Sequence, residues 1–209
     1  MALVKNAILS SMLVGFFVLA SAPSARALEV GDKAPDVELD STKGGKLKLT
    51  SLKGKTVLIQ FYVNDSDPTW IKELQSSSDI YTKFQAENTE VLGIAVSNMF
   101  AQKAFADFFK ISYPLLTGGT NVTLTHKVMK DYGVLRPERL NAIRSYFIVD
   151  KEGILRYKNI RPTQGEQDFV PPEELLKEVK KINQSMWART STFASNRLII
   201  SSCRILLNF

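Results

Sequence analysis

The chain has 209 residues, of which 44% are hydrophobic and 23% charged, and this composition is typical of one globular domain. The formal net charge of +6 comes from the ends of the chain, where the basic residues without acidic neighbours are Lys5, Arg26, Arg189, Arg197 and Arg204. Without these five the body has 22 basic residues against 21 acidic ones, so the charge balance argues against a nucleic-acid partner.

Residues 1–27 have the three parts of a secretory signal peptide. Lys5 gives a positive start, an apolar run from Ala7 to Ala20 follows, and Ala25-Arg26-Ala27 forms an A-x-A cleavage site. The apolar run is short for a hydrocarbon core of about 30 Å, which favours a cleaved peptide over an uncleaved membrane anchor. The sequence therefore predicts an exported protein, periplasmic or secreted, that leaves the membrane after cleavage.

The first half of the body predicts alternating strands and helices. An irregular arm with a hairpin at Gly44-Gly45 precedes Thr56–Tyr62, a nearly all-apolar run that is typical of a strand covered on both faces. Apolar residues at helical spacing predict a helix over Ile71–Glu87. A second buried strand is expected over Glu90–Ser97, and a second helix over Phe100–Lys110.

The second half predicts a short helix over Thr125–Gly133, two strands over Ser145–Ile160 around a turn at Asp150–Gly153, and a last helix over Pro171–Asn183. Two buried strands joined by a helix are expected to be parallel. With the hairpin added and helices on both faces, the order predicts an α/β, thioredoxin-like fold with a central mixed sheet. Residues 28–184 are long enough to form one core and are predicted to be a single domain.

Residues 185–209 differ from the body in composition. They include no acidic residue, and they contain Cys203, the single cysteine of the sequence, so no disulfide can form within this chain. This atypical tail is interpreted as an interaction segment, a fusion scar or an out-of-frame extension, and the last two interpretations, both non-native, are favoured.

Three stretches of the body resemble one known family. The run "VGDKAPDVELDSTKGGKLKLTSLKGKTVLIQFY", then "EVLGIAVSNMFAQKAFADFFKISYPLL", then "IRSYFIVDKEGILRY" are similar, in this order, to peroxiredoxins of the alkyl hydroperoxide reductase and thiol-specific antioxidant (AhpC/TSA) family. The resemblance extends from about Val30 to Ile182. It implies a peroxiredoxin subtype of the thioredoxin-like fold, a hydroperoxide substrate, a thiol reductant, a homodimer, and a reactive cysteine in the first turn of the first long helix.

The stretch that would hold this cysteine is "FYVNDSDPTWIKEL". In the family pattern a Pro, a Thr and the Cys have fixed spacing, and that spacing places Val63 at the Pro, Asp67 at the Thr and Trp70 at the Cys. Pro68 and Glu73 keep residue types found in the family. A further family position, an Arg that stabilises the thiolate, is matched by Arg144.

The family's chemistry needs a thiolate that attacks the O–O bond of a peroxide and becomes a sulfenic acid. The indole of Trp70 has no ionisable sulfur and its N–H can only donate a hydrogen bond. The resemblance therefore implies a hydroperoxide-reducing antioxidant, while residue 70 predicts that this activity is weak or lost. No cofactor is expected.

Three alternatives remain open for the loop. Asp67 can cap a helix that begins at Pro68, with Trp70 as an apolar plug in the old pocket. Residue 70 can also be a selenocysteine whose UGA codon was read as Trp. Finally, the chain can be a non-catalytic thioredoxin-fold module that binds a partner in the former active-site cleft.

A metal site is not predicted. His126 is the single histidine, and with one His and one Cys in the sequence a zinc centre is not expected. The run Asn64 to Asp67 lacks the Gly and the distal Glu of a calcium loop, and no Gly-rich phosphate loop follows either buried strand.

Overall fold

The computed structural model describes residues 27–63, 68–163 and 169–186. The predicted signal peptide up to Arg26, the candidate site residue Asp67 and the tail from Trp187, including Cys203, lie outside the described residues.

The strands among the described residues are β1 (Glu38–Ser41), β2 (Lys46–Lys48), β3 (Thr56–Phe61), β4 (Thr89–Ile94), β5 (Leu115–Thr117), β6 (Leu135–Arg136), β7 (Asn141–Ala142), β8 (Arg144–Val149) and β9 (Leu155–Arg161). Seven of them form one mixed sheet in the order β2-β1-β5-β4-β3-β8-β9. The other two, β6 and β7, form a separate two-stranded ribbon. This arrangement confirms the predicted thioredoxin-like α/β fold.

The strand β3 lies near the centre of the sheet and every one of its residues is buried. It pairs in parallel with β4, from Thr56 opposite Thr89 to Phe61 opposite Ile94, which confirms the parallel arrangement expected for two buried strands joined by helices. On its other side β3 pairs antiparallel with β8, whose six residues are also buried. The predicted hairpins β1–β2 and β8–β9 are both present.

Short strands were missed by the sequence analysis. β5 has three residues and β6 and β7 have two each, and runs of this length contain too few residues to show an alternating pattern.

The helices are α1 (Pro68–Asp79), α2 (Tyr81–Ala86), α3 (Met99–Phe108), α4 (Val122–Asp131) and α5, residues 172–186, with a 3-10 helix at Leu49–Leu52. The prediction of one continuous helix over Ile71–Glu87 was wrong, because the helix is interrupted at Ile80. Ser78 lies just before this break, and its hydroxyl contacts the carbonyl of Lys110 and the hydroxyl of Ser112. These contacts hold the end of α1 against the loop that follows α3.

Two apolar clusters lie on opposite faces of the sheet. One contains Leu58, Tyr62 and Tyr146 from the sheet together with residues of α1, α2, α3 and α5. The other contains Val57, Ile59 and Phe61 packed against the N-terminal arm and α4. The alternation along β3 follows from the period of two in a strand, and it gives the three-layer architecture that was predicted. No described helix is long and apolar enough to cross a membrane.

Candidate active-site cluster

The junction between β3 and α1 brings the candidate residues to the carboxyl end of β3. Pro68 is the first residue of α1, as predicted, which suits a residue that lacks a backbone N–H. Trp70 lies in the first turn of this helix and is only 3% exposed. Val63, two residues after β3, is half-buried and packs against the same apolar cluster as Trp70.

Arg144 reaches this helix from the neighbouring strand. It is the first residue of β8, and the next residue, Ser145, pairs with Phe61 at the end of β3. The side chain of Arg144 is completely buried, and its Cζ lies 4.0 Å from the centre of the Trp70 ring. This distance is typical of a cation–π contact, which is strongest when the cation is removed from water.

Glu73 completes the contact on the other side of Arg144. It lies one turn after Trp70 on α1 and is 2% exposed. Its Oε2 is 3.0 Å from Arg144 Nε, and the hydroxyl of Tyr146 donates a 2.6 Å hydrogen bond to its Oε1. The Tyr146 hydroxyl also accepts a 3.4 Å hydrogen bond from the backbone N–H of Val170, two residues before α5. The cluster therefore joins α1, β8 and the segment that leads into α5.

Burial sets the electrostatics of this cluster. Loss of water raises the pKa of Glu73 to about 7, while the Tyr146 hydrogen bond and the Arg144 charge act in the opposite direction. The pKa of Tyr146 is raised as well, by burial and by the nearby Glu73 carboxylate. Tyr146 therefore stays protonated and donates its hydrogen bond. The Glu73 carboxyl group gains or loses its proton near neutral pH.

A second group of buried polar side chains lies beneath α1. Gln60, on β3, donates to the hydroxyl of Ser77 at 2.9 Å and accepts from the hydroxyl of Tyr113 at 3.1 Å. Gln102, on α3, donates to the hydroxyl of Tyr62 at 2.9 Å. These bonds satisfy polar groups inside an apolar cluster, and they fix α1 and α3 to the sheet.

Of the four family positions proposed from the sequence, the structure brings Trp70 and Arg144 into contact. Val63 packs against the apolar cluster that contains Trp70, and Asp67 lies outside the described residues. Sequence reasoning had not connected Glu73 and Tyr146 to the cluster. Two signals were available: Glu73 is three residues after Trp70 on a helix, and Tyr146 is two residues after Arg144 on a strand, so each pair shares a face.

The remaining candidates do not join this cluster. His126, on α4, lies near the surface, with its Nε2 3.0 Å from the carbonyl oxygen of Leu140. In the part of the chain that the structure describes, no group of three or more His, Cys, Asp and Glu side chains is arranged to hold a metal ion.

Comparison with known sequences identifies the family. Residues 30–158 match the AhpC/TSA family. The chain is 30% identical over 182 residues to a chloroplastic peroxiredoxin Q of Triticum aestivum, a match that covers 81% of this chain and 77% of the relative. It is 31% identical over 130 residues to a putative peroxiredoxin bcp of Coxiella burnetii, covering 62% and 86%. It is 32% identical over 142 residues to the chloroplastic 2-Cys peroxiredoxin BAS1 of Spinacia oleracea, covering 63% of this chain but only about half, 52%, of that protein.

Solved structures show the same fold. The crystal structure of Enterococcus faecalis AhpC matches with a TM-score of 0.65 and 24% identity, covering 81% of this chain and 95% of that one. The reduced Plasmodium vivax 2-Cys peroxiredoxin matches with a TM-score of 0.65 and 24% identity, covering 75% and 98%. With this fold, and with a family match over more than half of its residues, the chain belongs to the AhpC/TSA family and has a thioredoxin-like, peroxiredoxin-type fold.

Proposed function

We propose that this chain is an exported peroxiredoxin-family protein in which hydroperoxide reduction has been lost at residue 70. The observation that carries the proposal is the position of the Trp70 indole, which is 3% exposed and lies against the guanidinium of Arg144. The family relationship supports hydroperoxide chemistry as the ancestral activity. An indole in this place leaves that chemistry without a nucleophile.

Peroxide reduction breaks an O–O bond: one oxygen is transferred to a thiolate, and the other leaves as an alcohol or water. The thiolate becomes a sulfenic acid that a second thiol must reduce. The start of a helix and a nearby guanidinium lower the pKa of a thiol, and Pro68 to Trp70 with Arg144 supply both. However, an indole N–H cannot accept oxygen in this way. The helix start and the guanidinium are retained, and the reacting atom is missing.

The buried contact between Trp70 and Arg144 also bears on the binding-module alternative. A cleft that binds a partner at this position would need an accessible floor, but both side chains that would form it are buried. The geometry therefore supports lost chemistry better than it supports a new ligand in the former active-site cleft.

The test is peroxide consumption in a single turnover with thiol reductant, using protein isolated from its native source, together with the intact mass of that protein. We expect a mass that corresponds to Trp at residue 70 and a rate no higher than that of the buffer. A mass that corresponds to selenocysteine, with rapid consumption of peroxide, would overturn the proposal and make the protein a selenium peroxidase.

Export is the second part of the proposal, and it is supported by the order of charge, apolar run and A-x-A site in residues 1–27. The first two residues after this segment are bound to the fold: the Nζ of Lys158 donates to the carbonyl of Leu28 at 2.7 Å and lies 3.0 Å from Glu29 Oε1. N-terminal sequencing of the mature protein is expected to start at Leu28. A mature protein that keeps its first twenty residues in a membrane would contradict export.

The exposed surface of α3 favours pairing with a second copy of the chain, which would form a homodimer. Phe100 and Phe108 are 83% and 78% exposed, and with the exposed Ala104 between them they form one stripe at intervals of four residues. The order of residues in this stripe, Phe, Ala and Phe, is the same from either end of the helix. An antiparallel pairing of α3 with its copy would therefore place Phe100 against Phe108 of the second copy, with a small residue at the two-fold axis.

A further inference from the structure

Three Asn-x-Ser/Thr triplets occur in the sequence, and a triplet of this kind is the acceptor for N-linked glycosylation in a secretory pathway. They begin at Asn64, Asn121 and Asn183. Asn64 lies outside the described residues. The other two asparagines have opposite surroundings in the structure, and these surroundings decide which of them can carry a glycan in the folded protein.

The side chain of Asn183 holds α5 against the sheet. Its Oδ1 accepts a 2.6 Å hydrogen bond from the hydroxyl of Thr56, a fully buried residue at the start of β3. Its Nδ2, the atom to which a sugar would attach, donates a 2.8 Å hydrogen bond to the carbonyl of Glu87. A glycan on this atom would compete with both contacts and leave a buried hydroxyl without its acceptor. The folded protein therefore disfavours a glycan at Asn183.

Asn121 lies in the loop between β5 and α4, immediately before the helix, and it is exposed together with Val122 and Thr123. Asparagine is common at this position because its side chain caps the helix. The Asn121 side chain makes no such bond, whereas Asn98, at the equivalent position of α3, accepts from the backbone N–H of Phe100 at 2.9 Å. The side-chain amide of Asn121 is therefore not used to cap α4.

The backbone around Asn121 is fixed without its side chain. The N–H of Asn121 donates to the carbonyl of Gly118 at 2.9 Å, and the Asn121 carbonyl accepts from the N–H of Leu124 at 3.0 Å. The N–H of Gly118 donates to the hydroxyl of Thr125, on α4, at 2.6 Å. A Cβ at residue 118 would lie 2.2 Å from the Asn121 carbonyl oxygen, so this close approach requires glycine. A bulky group on the side chain of Asn121 would break none of these bonds.

We propose that Asn121 is the N-glycan acceptor of the exported protein and that Asn183 is not modified. This inference rests on the export that is part of the proposed function. In the transfer, Nδ2 of Asn121 attacks C1 of the first sugar of an oligosaccharide that is linked to a lipid diphosphate. The bond from C1 to the diphosphate oxygen breaks, the lipid diphosphate leaves, and Nδ2 loses one proton to solvent.

The glycan would stand at the same edge of the sheet as the candidate active-site cluster. The parallel strands β3, β4 and β5 end together, with Phe61 opposite Ile94 and Ile94 opposite Leu116. Trp70 follows β3 and Asn121 follows β5, two strand spacings or about 10 Å across the sheet. A bulky, hydrated group at Asn121 would therefore cover part of the edge that a partner of the former active site would approach.

The first experiment uses the protein from its native source. Its peptides are treated with peptide-N-glycosidase in water labelled with a heavy oxygen isotope, which converts a glycosylated Asn into a labelled Asp. A sample without the enzyme controls for spontaneous deamidation. We expect the label at Asn121 and none at Asn183, in a protein that begins at Leu28. A protein that begins at Leu28 with an unlabelled Asn121, or with a label at Asn183, would overturn the proposal.

A second experiment tests the two triplets in the full chain, translated in the presence of microsomes. All variants carry Ser66→Ala, which removes the triplet at Asn64. We expect one glycan that is lost in Thr123→Ala and kept in Ser185→Ala. Both substitutions are at exposed positions and remove the hydroxyl of a triplet, so they are matched. A glycan that is kept in Thr123→Ala and lost in Ser185→Ala contradicts the assignment.

The same experiment separates a failure of the acceptor from a failure of export. A parallel chain carries an unrelated cleavable signal peptide in place of residues 1–27. If this chain is glycosylated at Asn121 while the chain with its own residues 1–27 is not, export is wrong and the acceptor assignment is supported. If the chain with the unrelated signal peptide is protected from added protease and still has no glycan at Asn121, the assignment is wrong whatever the outcome for export.

Discussion

The Cζ atom of Arg144 lies 4.0 Å from the centre of the Trp70 ring, and neither side chain is more than 3% exposed. A guanidinium in this position has lost its water, and the Trp70 ring and the Glu73 carboxyl group both lie against it and compensate with opposite partial or full charge. A desolvated cation–π contact contributes about 2 kcal/mol. Trp70 is therefore part of the support of a buried charge, and its replacement affects stability as well as chemistry.

The raised pKa of Glu73 predicts how stability depends on pH. Its folded pKa of about 7 is above the ordinary value of 4.5, so the folded state binds the proton more tightly than the unfolded state. The stabilising contribution is complete below pH 4.5 and is lost as the pH rises through 7. A tenfold difference in proton affinity corresponds to about 1.4 kcal/mol. The free energy of unfolding is therefore expected to fall by about 3 kcal/mol as Glu73 loses its proton.

This dependence is measured as the difference in free energy of unfolding between wild type and Glu73→Gln, at pH 4.5 and at pH 8. We expect the wild type to lose about 3 kcal/mol relative to the variant over this range. Glu174→Gln, at an exposed position of α5, should show no such change. A difference that grows with pH would mean that the attraction of Arg144 outweighs burial and that the pKa of Glu73 is lowered.

The boundary of the tail gives a second prediction. The helix α5 continues to Met186, which packs against the apolar cluster around Trp70, so the body extends two residues beyond the predicted Gln184. Truncation after Met186 should lower the melting temperature by a few degrees at most, less than about 1 kcal/mol. Truncation after Gln184 also removes Met186, and we expect it to lower the melting temperature further. If the first truncation already destabilises strongly, the tail is part of the native fold.

The exposed stripe on α3 predicts an interface between copies. Phe100→Glu or Phe108→Glu would place a charge in an apolar contact, and either change is expected to convert a dimer into a monomer without lowering the melting temperature of the monomer. Sedimentation velocity measures the outcome. Val30→Glu, at a residue that is 57% exposed on the N-terminal arm, is the matched control and should leave the dimer intact. A wild-type protein that is monomeric at high concentration would contradict the interface.

The long buried strands could be predicted from the sequence, and the helix break could not. Thr56–Tyr62 was recognisable because a strand covered on both faces is apolar at nearly every position. Ile80 continues the helical spacing of apolar residues, so the pattern gave no sign that the helix ends there. Ser78, just before the break, contacts Lys110 and Ser112, more than thirty residues away, and a pattern of local residues does not contain such contacts.

The candidate site also depends on long-range contacts that local sequence patterns do not contain. Trp70 and Arg144 could be named from the family resemblance, which supplied positions that are distant in sequence. Glu73 and Tyr146 could not be assigned to the cluster from periodicity alone, because their contact depends on how α1 is placed above β8. The 2.6 Å bond between them is a consequence of tertiary packing.

The substitution Trp70→Cys would restore a thiol at residue 70. In Trp70→Cys the thiol would lie in the first turn of α1, where the helix start supplies partial positive charge, and the buried Arg144 would supply a full charge. Both lower the thiol pKa. Asp67 is three residues earlier in the sequence, and a carboxylate near the thiol would raise its pKa. In addition, an ionised carboxylate cannot donate a hydrogen bond to peroxide, as the family's hydroxyl can.

We therefore expect slow sulfenic-acid formation in Trp70→Cys, faster formation when Asp67→Thr is added, and loss of that gain with Arg144→Gln. Single-turnover peroxide consumption measures these rates, with Cys203→Ser in every variant so that residue 70 is the single thiol. Because removal of the indole leaves a cavity that costs about 3 kcal/mol or more, each variant must first be shown to be folded. Trp70→Ser, with a similar cavity and no sulfur, is the matched control. If Trp70→Cys reacts no faster than free cysteine and Asp67→Thr adds nothing, this loop is not a disabled peroxidase site.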